Sequence, residues 1–277
     1  MTTDLWHTDR LDLDGYLARL GLPARAPSRA ALDEVHEQHV RTFTFDNVDV
    51  LLEQHPGVAL DAAQEKFVVR GRGGYCFEHS TVLAAALDRL GYQVVRRLAR
   101  VNGGTDTPLG RTHLVVEVAL DGERLLCDPG FGMGLLRPVP LVDGHEDDQD
   151  GWRYRVTRVD GPTVWQLHRA RDDGWELMHT TDELPVVPED VVIGHHYTST
   201  FPGSHFTQGL VVARHLPGHH VTISATTVTV RRPGLPTEHR ALAEGELLTW
   251  LDVLGASSLT GDETARLCAM PVPGSER

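Results

Sequence analysis

The spacing of apolar positions divides the 277-residue chain into a helical first third and a strand-rich remainder. Tyr16, Leu17 and Leu20 predict a short amphipathic helix that Gly21 and Pro23 end. Ser28 is placed to cap a second helix, which carries Leu32, Val35 and His39 on one face. Residues 43–50, Phe-Thr-Phe-Asp-Asn-Val-Asp-Val, keep no sustained period and read as a packed loop. His55-Pro56-Gly57 is a turn, and a short helix from Leu60 to Phe67 follows. Val82, Leu83, Ala86, Leu87 and Leu90 then recur at helical spacing, with Gly91 as a natural stop.

From about residue 93 the period becomes strand-like, beginning with Val94–Val101 and a Gly- and Thr-rich loop over 102–110. Two β-rich runs, 113–120 and 123–128, flank Asp121-Gly122, a strong hairpin signal. A two-residue turn sets Leu120 opposite Glu123 and Asp128 opposite Val115. His113 and Asp128 then become diagonal neighbours on one face, within reach of a hydrogen bond. Cys127 falls on the other face. In the tail, 210–213, 221–224 and 227–230 read as strands, and 244–254 and 262–270 as helices.

Chemistry enters at residues 70–80, where the glycine-rich turn Arg-Gly-Arg-Gly-Gly-Tyr delivers Cys76 to the first turn of a helix. The positive end of the helix dipole and nearby Arg72 both favour a thiolate. With His113 as base and Asp128 to orient it, Cys76 completes the parts of a nucleophilic triad. Triad chemistry alone leaves a hydrolase, a transglutaminase-like enzyme and an acyltransferase open, beside a binding module that uses the fold without turnover. Histidines 36 and 39 are three apart rather than the four of a zinc-protease helix and read as packing residues. The helix holding Cys268 brings no base near it in sequence, which makes that cysteine structural.

Charge narrows the partners. A net charge of −13 argues against nucleic acid or an anionic membrane. Three cysteines without pairing-like spacing, no signal-like start and no membrane-length apolar run predict a cytoplasmic protein.

The segment Arg72-Gly73-Gly74-Tyr75-Cys76-Phe77-Glu78-His79 closely resembles the signature of the arylamine N-acetyltransferases, in which the cysteine of Arg-Gly-Gly-x-Cys is acetylated by acetyl-CoA. Leu32 through His39, Phe45-Asp46-Asn47-Val48-Asp49, Thr112-His113 and Asp128-Pro129-Gly130-Phe131-Gly132 resemble further elements of that family in the same order. Tyr197 to Phe206, with Ser199-Thr200, Pro202 and Ser204, resembles a later one. The resemblance implies an α+β, papain-like Cys-His-Asp fold: a helical bundle over 1–91, a β-barrel-like domain over 92–190 and an α/β lid over 191–277. It implies catalysis by Cys76, His113 and Asp128, with Thr112, Gly132 and Phe206 near the cofactor. Phe45, Tyr75 and Phe131 would face the acceptor. Acetyl-CoA would be the donor, no metal would be needed, and the acceptor would be an aromatic amine or hydrazine. A homodimer is the assembly to test. Some relatives are macrolactam-forming amide synthases of ansamycin biosynthesis, which use the same triad and form the alternative reading. Ser80, Pro129 and His195-His196 depart from the usual Asn, Val and Asn-Trp, and predict a changed pocket. As a strand pair, the two histidines would face opposite ways and bind no metal together.

Overall fold

A computed structural model describes residues 4–101, 109–159, 164–171, 174–256 and 258–270. Its first third holds helices α1 (Leu13–Leu20), α2 (Arg29–Thr42), α3 (Val48–Leu51), α4 (Leu60–Gln64) and α5 (Cys76–Arg89). Asp12 and Ser28 cap α1 and α2 by accepting from the N–H groups of Gly15 and Ala31. α4 runs on into a π-helical turn over Glu65–Val69. α5 is buried continuously from Cys76 to Leu87, because Tyr16, Leu32, Phe67, Val116 and Leu125 surround it in one core. Apolar burial on this scale, more than helix propensity, holds such a helix.

Segment 43–50 is not a loop. It forms a short strand, β1 (Phe45–Asp46), followed directly by α3. The partners of β1 are distant in sequence: it pairs antiparallel with residues 212–213, and its Asp46 N–H donates to the Gly74 carbonyl at 2.7 Å. No local pattern encodes hydrogen bonds of that range.

The second part is an eight-stranded, barrel-like sheet made of β2 (Gln93–Val101), β3 (His113–Leu120), β4 (Glu123–Cys127), β5 (Val139–Pro140), β6 (Glu146–Gln149), β7 (Trp152–Val159), β8 (Val164–Arg171) and β9 (Gly174–Asp182). The strand order is β5-β4-β3-β2-β9-β8-β7-β6. The β3–β4 hairpin has the predicted register, with Leu120 opposite Glu123 and Val116 opposite Cys127. Of the expected loop over 102–110, residues 102–108 lie outside the described ones.

The third part opens with α6 (Pro188–Thr200) and α7 (His205–Gln208). His195 and His196 are therefore helical, not a strand pair. Pro188 sits in the first turn, and the Asp190 carboxylate accepts from the Val187 N–H, a strong start signal within an otherwise β-branched run. Strands β10 (Val212–Leu216), β11 (His219–Ile223), β12 (Thr227–Arg231) and β13 (Glu238–Ala241) form a second sheet with β1 at its edge. Helices α8 (Glu246–Val253) and α9 (Gly261–Cys268) close the chain, and Cys268 is exposed. The core of this part includes Val48 and Leu52 of the first part beside Val212, Ile223 and Leu254. No helix among the described residues is long and apolar enough to cross a membrane.

A buried ionic cluster ties these parts beneath the cysteine loop. Lys66, 1% exposed, lies 2.6 Å from Glu78 Oε1 and 2.9 Å from Asp49 Oδ2. Arg72 reaches Glu263 of α9 at 2.7 Å and Asp49 at 3.5 Å. Burial opposes the Glu78 charge, but Lys66 and His55 overcome that and hold its carboxyl at about 2. Glu78 Oε2 also accepts the Tyr75 N–H at 3.1 Å and so closes the first turn of α5. Replacing Lys66 by Met is expected to destabilise the protein by about 3–5 kcal/mol, because it strands two buried carboxylates without their counter-charge. Urea unfolding at neutral pH would measure the loss.

Candidate active site

The glycines before Cys76 are dictated by space. A Cβ on Gly73 would stand 1.9 Å from the Thr44 carbonyl oxygen, and one on Gly74 would stand 2.2 Å from Glu78 Oε2. The chain thus threads between β1 and the first turn of α5 and sets Cys76 at the helix start, 3% exposed. A neutral thread of hydrogen bonds holds the other side. His79 donates from Nε2 to the Thr44 carbonyl at 3.0 Å, His39 Nε2 to His79 Nδ1 at 2.9 Å, and the Tyr16 hydroxyl to His39 Nδ1 at 2.9 Å. Burial drives His79 down to about 4 and holds His39 well below its ordinary value, so both rings stay uncharged. His36 and His39 are packing histidines, and His36 Nδ1 bonds the Leu136 carbonyl at 2.8 Å.

The hairpin delivers the second half of the site. His113 opens β3, and Asp128 directly follows β4. Their contact is His113 Nε2 to Asp128 Oδ1, 3.0 Å, fully inside the protein. His113 interacts with the Cys76 side chain, and with Nε2 occupied by Asp128 its Nδ1 is the nitrogen left for the thiol. The Cys76 Sγ lies 3.7 Å from the Thr112 carbonyl. Burial disfavours a charged His113, yet the charge and hydrogen bond of Asp128, reinforced by Cys76, raise it to about 10. Burial likewise opposes the Asp128 charge, and His113 and His179 overcome it and hold the carboxyl well below its ordinary range. Cys127, on the opposite face, enters the helical core, where burial pushes its thiol up.

Two joints hold α5 against the barrel. Ser80 donates to the Leu114 carbonyl at 2.6 Å, one residue past His113. Gly130 lies so close to α5 that a Cβ there would meet Cys76 Cα at 2.6 Å. The serine that departs from the family pattern is thus a fastener between the strand of the base and the helix of the nucleophile.

The expected help from Arg72 is not available to the thiol. Its guanidinium is committed to Glu263 and Asp49, partners that sequence spacing could not reveal. His179 of β9 went unrecognised in the sequence, although its Nε2 stands 3.2 Å from Asp128 Oδ2. It reaches the site through β2, where Val101 pairs with His179, so no local motif marks it. His113, Asp128 and His179 present ligand atoms within 4.8 Å of one another, close enough to hold a small cation. Both carboxylate oxygens are already faced by imidazole nitrogens.

Cys76 and His113 open onto a cavity of about 720 Å³. Of the residues assigned by resemblance, Thr112, Gly132, Phe206, Phe45 and Phe131 line it. Tyr75 does not. It is fully buried, its hydroxyl bonds His195 Nδ1, and its ring packs edge-on against Phe206. His195 thus acts behind the wall, and burial together with His55 lowers it to about 4. Tyr197, from the last of the family-like segments, also lines the cavity, as do Arg169 and Arg231, which the sequence did not single out.

A thiol at a helix start and an imidazole with a buried carboxylate behind it thus border one cavity with aromatic walls. Residues 29–254 match the family model described as N-acetyltransferase. The chain is 36% identical over 238 residues to an arylamine N-acetyltransferase of Mycolicibacterium smegmatis, covering 83% of this chain and 85% of that protein. The solved structure of the arylamine N-acetyltransferase from Mycobacterium abscessus matches with a TM-score of 0.90 at 30% identity over 97% of both chains. That of Mycobacterium marinum in complex with CoA matches with a TM-score of 0.83 at 29% identity, over 92% of this chain and 98% of the other. The chain belongs to the arylamine N-acetyltransferase family and is an acyltransferase with its α+β fold.

The buried His113–Asp128 pair should make stability depend on pH from both sides. The Asp128 contribution is complete above the ordinary carboxylate value of 3.8 and is lost as the pH falls below it. The His113 contribution is complete below 6.5 and is lost as the pH rises through about 10. A His113→Gln variant should therefore differ most from the wild type between pH 3.8 and 6.5, where both contributions are complete, and converge with it toward acid and toward alkali. Urea unfolding across a pH series would measure it.

Proposed function

We propose that this enzyme moves an acetyl group from acetyl-CoA to the nitrogen or oxygen of arylamines, arylhydrazines or arylhydroxylamines through an acetyl-Cys76 thioester. The observation that carries the reading is the buried His113–Asp128 hydrogen bond, with Cys76 and His113 both lining one cavity. In the first half-reaction, His113 takes the thiol proton and Sγ bonds to the thioester carbonyl carbon. The C–S bond to CoA then breaks, and His113 returns the proton to the departing CoA sulfur. In the second, the acceptor nitrogen attacks the acetyl carbon and gives its proton to His113, and Cys76 Sγ leaves. Asp128 orients the ring and stabilises the imidazolium in both halves. Backbone N–H groups at the start of α5 are the source of oxyanion stabilisation in this reading.

The aromatic side chains Phe45 and Phe131 are suited to hold a flat acceptor ring. Thr112, Gly132 and Phe206 border the same space and are assigned to the donor. Gly132 has φ 86 and touches the Phe45 ring, so a side chain there would both strain the backbone and narrow the cavity. Tyr75 supports this wall from behind through its contact with Phe206. None of these steps draws on a metal.

Intact mass after mixing with acetyl-CoA alone should show one acetyl group on the wild type and none on Cys76→Ala, and an anisidine should remove it. Asp128→Asn should slow acetylation by about 10²–10⁴-fold. A folded wild-type protein that stays unlabelled would overturn the acetyl-CoA assignment. Labelling by carrier-protein thioesters instead would identify an amide synthase.

A further inference from the structure

We infer that His179 is a positioning residue that holds Asp128 from behind, so that the site is a Cys76–His113–Asp128–His179 chain rather than a triad. This rests on the acyl-transfer reading of Cys76. The argument starts from an accounting of buried polar atoms. Asp128 has two oxygens in a place closed to water. Oδ1 receives the His113 Nε2–H at 3.0 Å. Oδ2 and His179 Nε2 are both buried and lie 3.2 Å apart, and neither makes a well-aligned hydrogen bond with any group among the described residues. Each is the other's means of satisfaction, and buried polar groups are seldom left without one.

A second contact bears on which nitrogen of His179 carries the proton. The Thr181 hydroxyl lies 3.2 Å from His179 Nδ1. With that hydroxyl donating to Nδ1, a neutral ring carries its proton on Nε2, the atom that faces Asp128. Burial, with the nearby His113, outweighs the pull of Asp128 and lowers His179, so it remains the neutral donor while His113 takes the charge. The two rings are not interchangeable: His113 also interacts with Cys76, whereas the ring nitrogens of His179 face Asp128 and Thr181. Both rings lie near Phe131, with centroids 5.4 Å and 6.0 Å away.

Other titratable groups near enough to feel the charge of this pair are His36 of α2, Cys127 of β4, Tyr154 of β7 and His168 of β8. Burial keeps His36 at about 4 and lowers His168, while it raises Cys127 and Tyr154. None of them changes charge across the neutral range, so a pH profile read there reports the Cys76–His113 couple.

The test is the pH profile of Cys76 alkylation by iodoacetamide, in the full chain treated with EDTA to remove any cation held by the same three groups. In His179→Phe, Asp128 loses a donor and supports the imidazolium less well. The acid limb should move up by about one pH unit, with the rate near neutrality down about tenfold. His179→Gln keeps an N–H donor and should stay within about twofold of the wild type. Thr181→Val frees the tautomer and should shift the limb in the same direction by a smaller amount. A folded Phe variant with the wild-type profile would overturn the inference, as would Gln and Phe variants that shift alike. If the Phe variant does not fold, an unchanged profile in Thr181→Val overturns it instead. Alkylation requires no acyl donor, so this result stands or fails separately from labelling by acetyl-CoA.

Discussion

The site depends on keeping a carboxylate charged where water cannot reach it. Moving such a group out of water costs several kcal/mol even after relaxation, and only close donors and an opposite charge offset that. Asp128 meets the requirement with an imidazole nitrogen facing each oxygen, one of the two rings able to become a cation. That same stabilisation is what makes His113 basic. The cost of burying Asp128 and the basicity of His113 are two expressions of one balance of charge.

Such a balance works only if the barrel and the helix keep their separation. The fold secures it with short, buried contacts instead of flexible surface pairs. Ser80 bonds the strand backbone beside His113, and Gly130 lets the loop after Asp128 lie directly on Cys76. Beneath α5, Lys66 and Arg72 gather carboxylates from α3, α5 and α9. The nucleophile is therefore braced by the barrel on one side and by an ionic cluster on the other. Aromatic residues from all three parts supply the walls of the space between them.

The parts of this arrangement that were legible in the sequence are those with short-range causes. Asp121-Gly122 sets a turn, the turn sets a register, and the register brings His113 to Asp128. The glycines before Cys76 and the helical period after it are local signals too. What could not be read depends on contacts across the chain. β1 exists because of a strand some 165 residues later, and His179 reaches Asp128 through a neighbouring strand. Arg72 was read from its nearness in sequence to Cys76, whereas its charge is spent on Glu263 far along the chain. His195 and His196 look like a strand pair by composition, but the capped start at Pro188 makes them helical.

The thread from Tyr16 through His39 and His79 to the Thr44 carbonyl has a sense of direction. Each ring gives a proton from one nitrogen and receives one at the other, so every link runs the same way. Thr44 also accepts the Gly74 N–H, which joins the thread to the loop that carries the nucleophile. A wrong tautomer at His79 would set two donors face to face at His39 and two acceptors face to face at the Thr44 carbonyl. The thread consequently behaves as a single latch: it closes in one polarity, it carries no charge for salt to screen, and it holds the cysteine loop all at once.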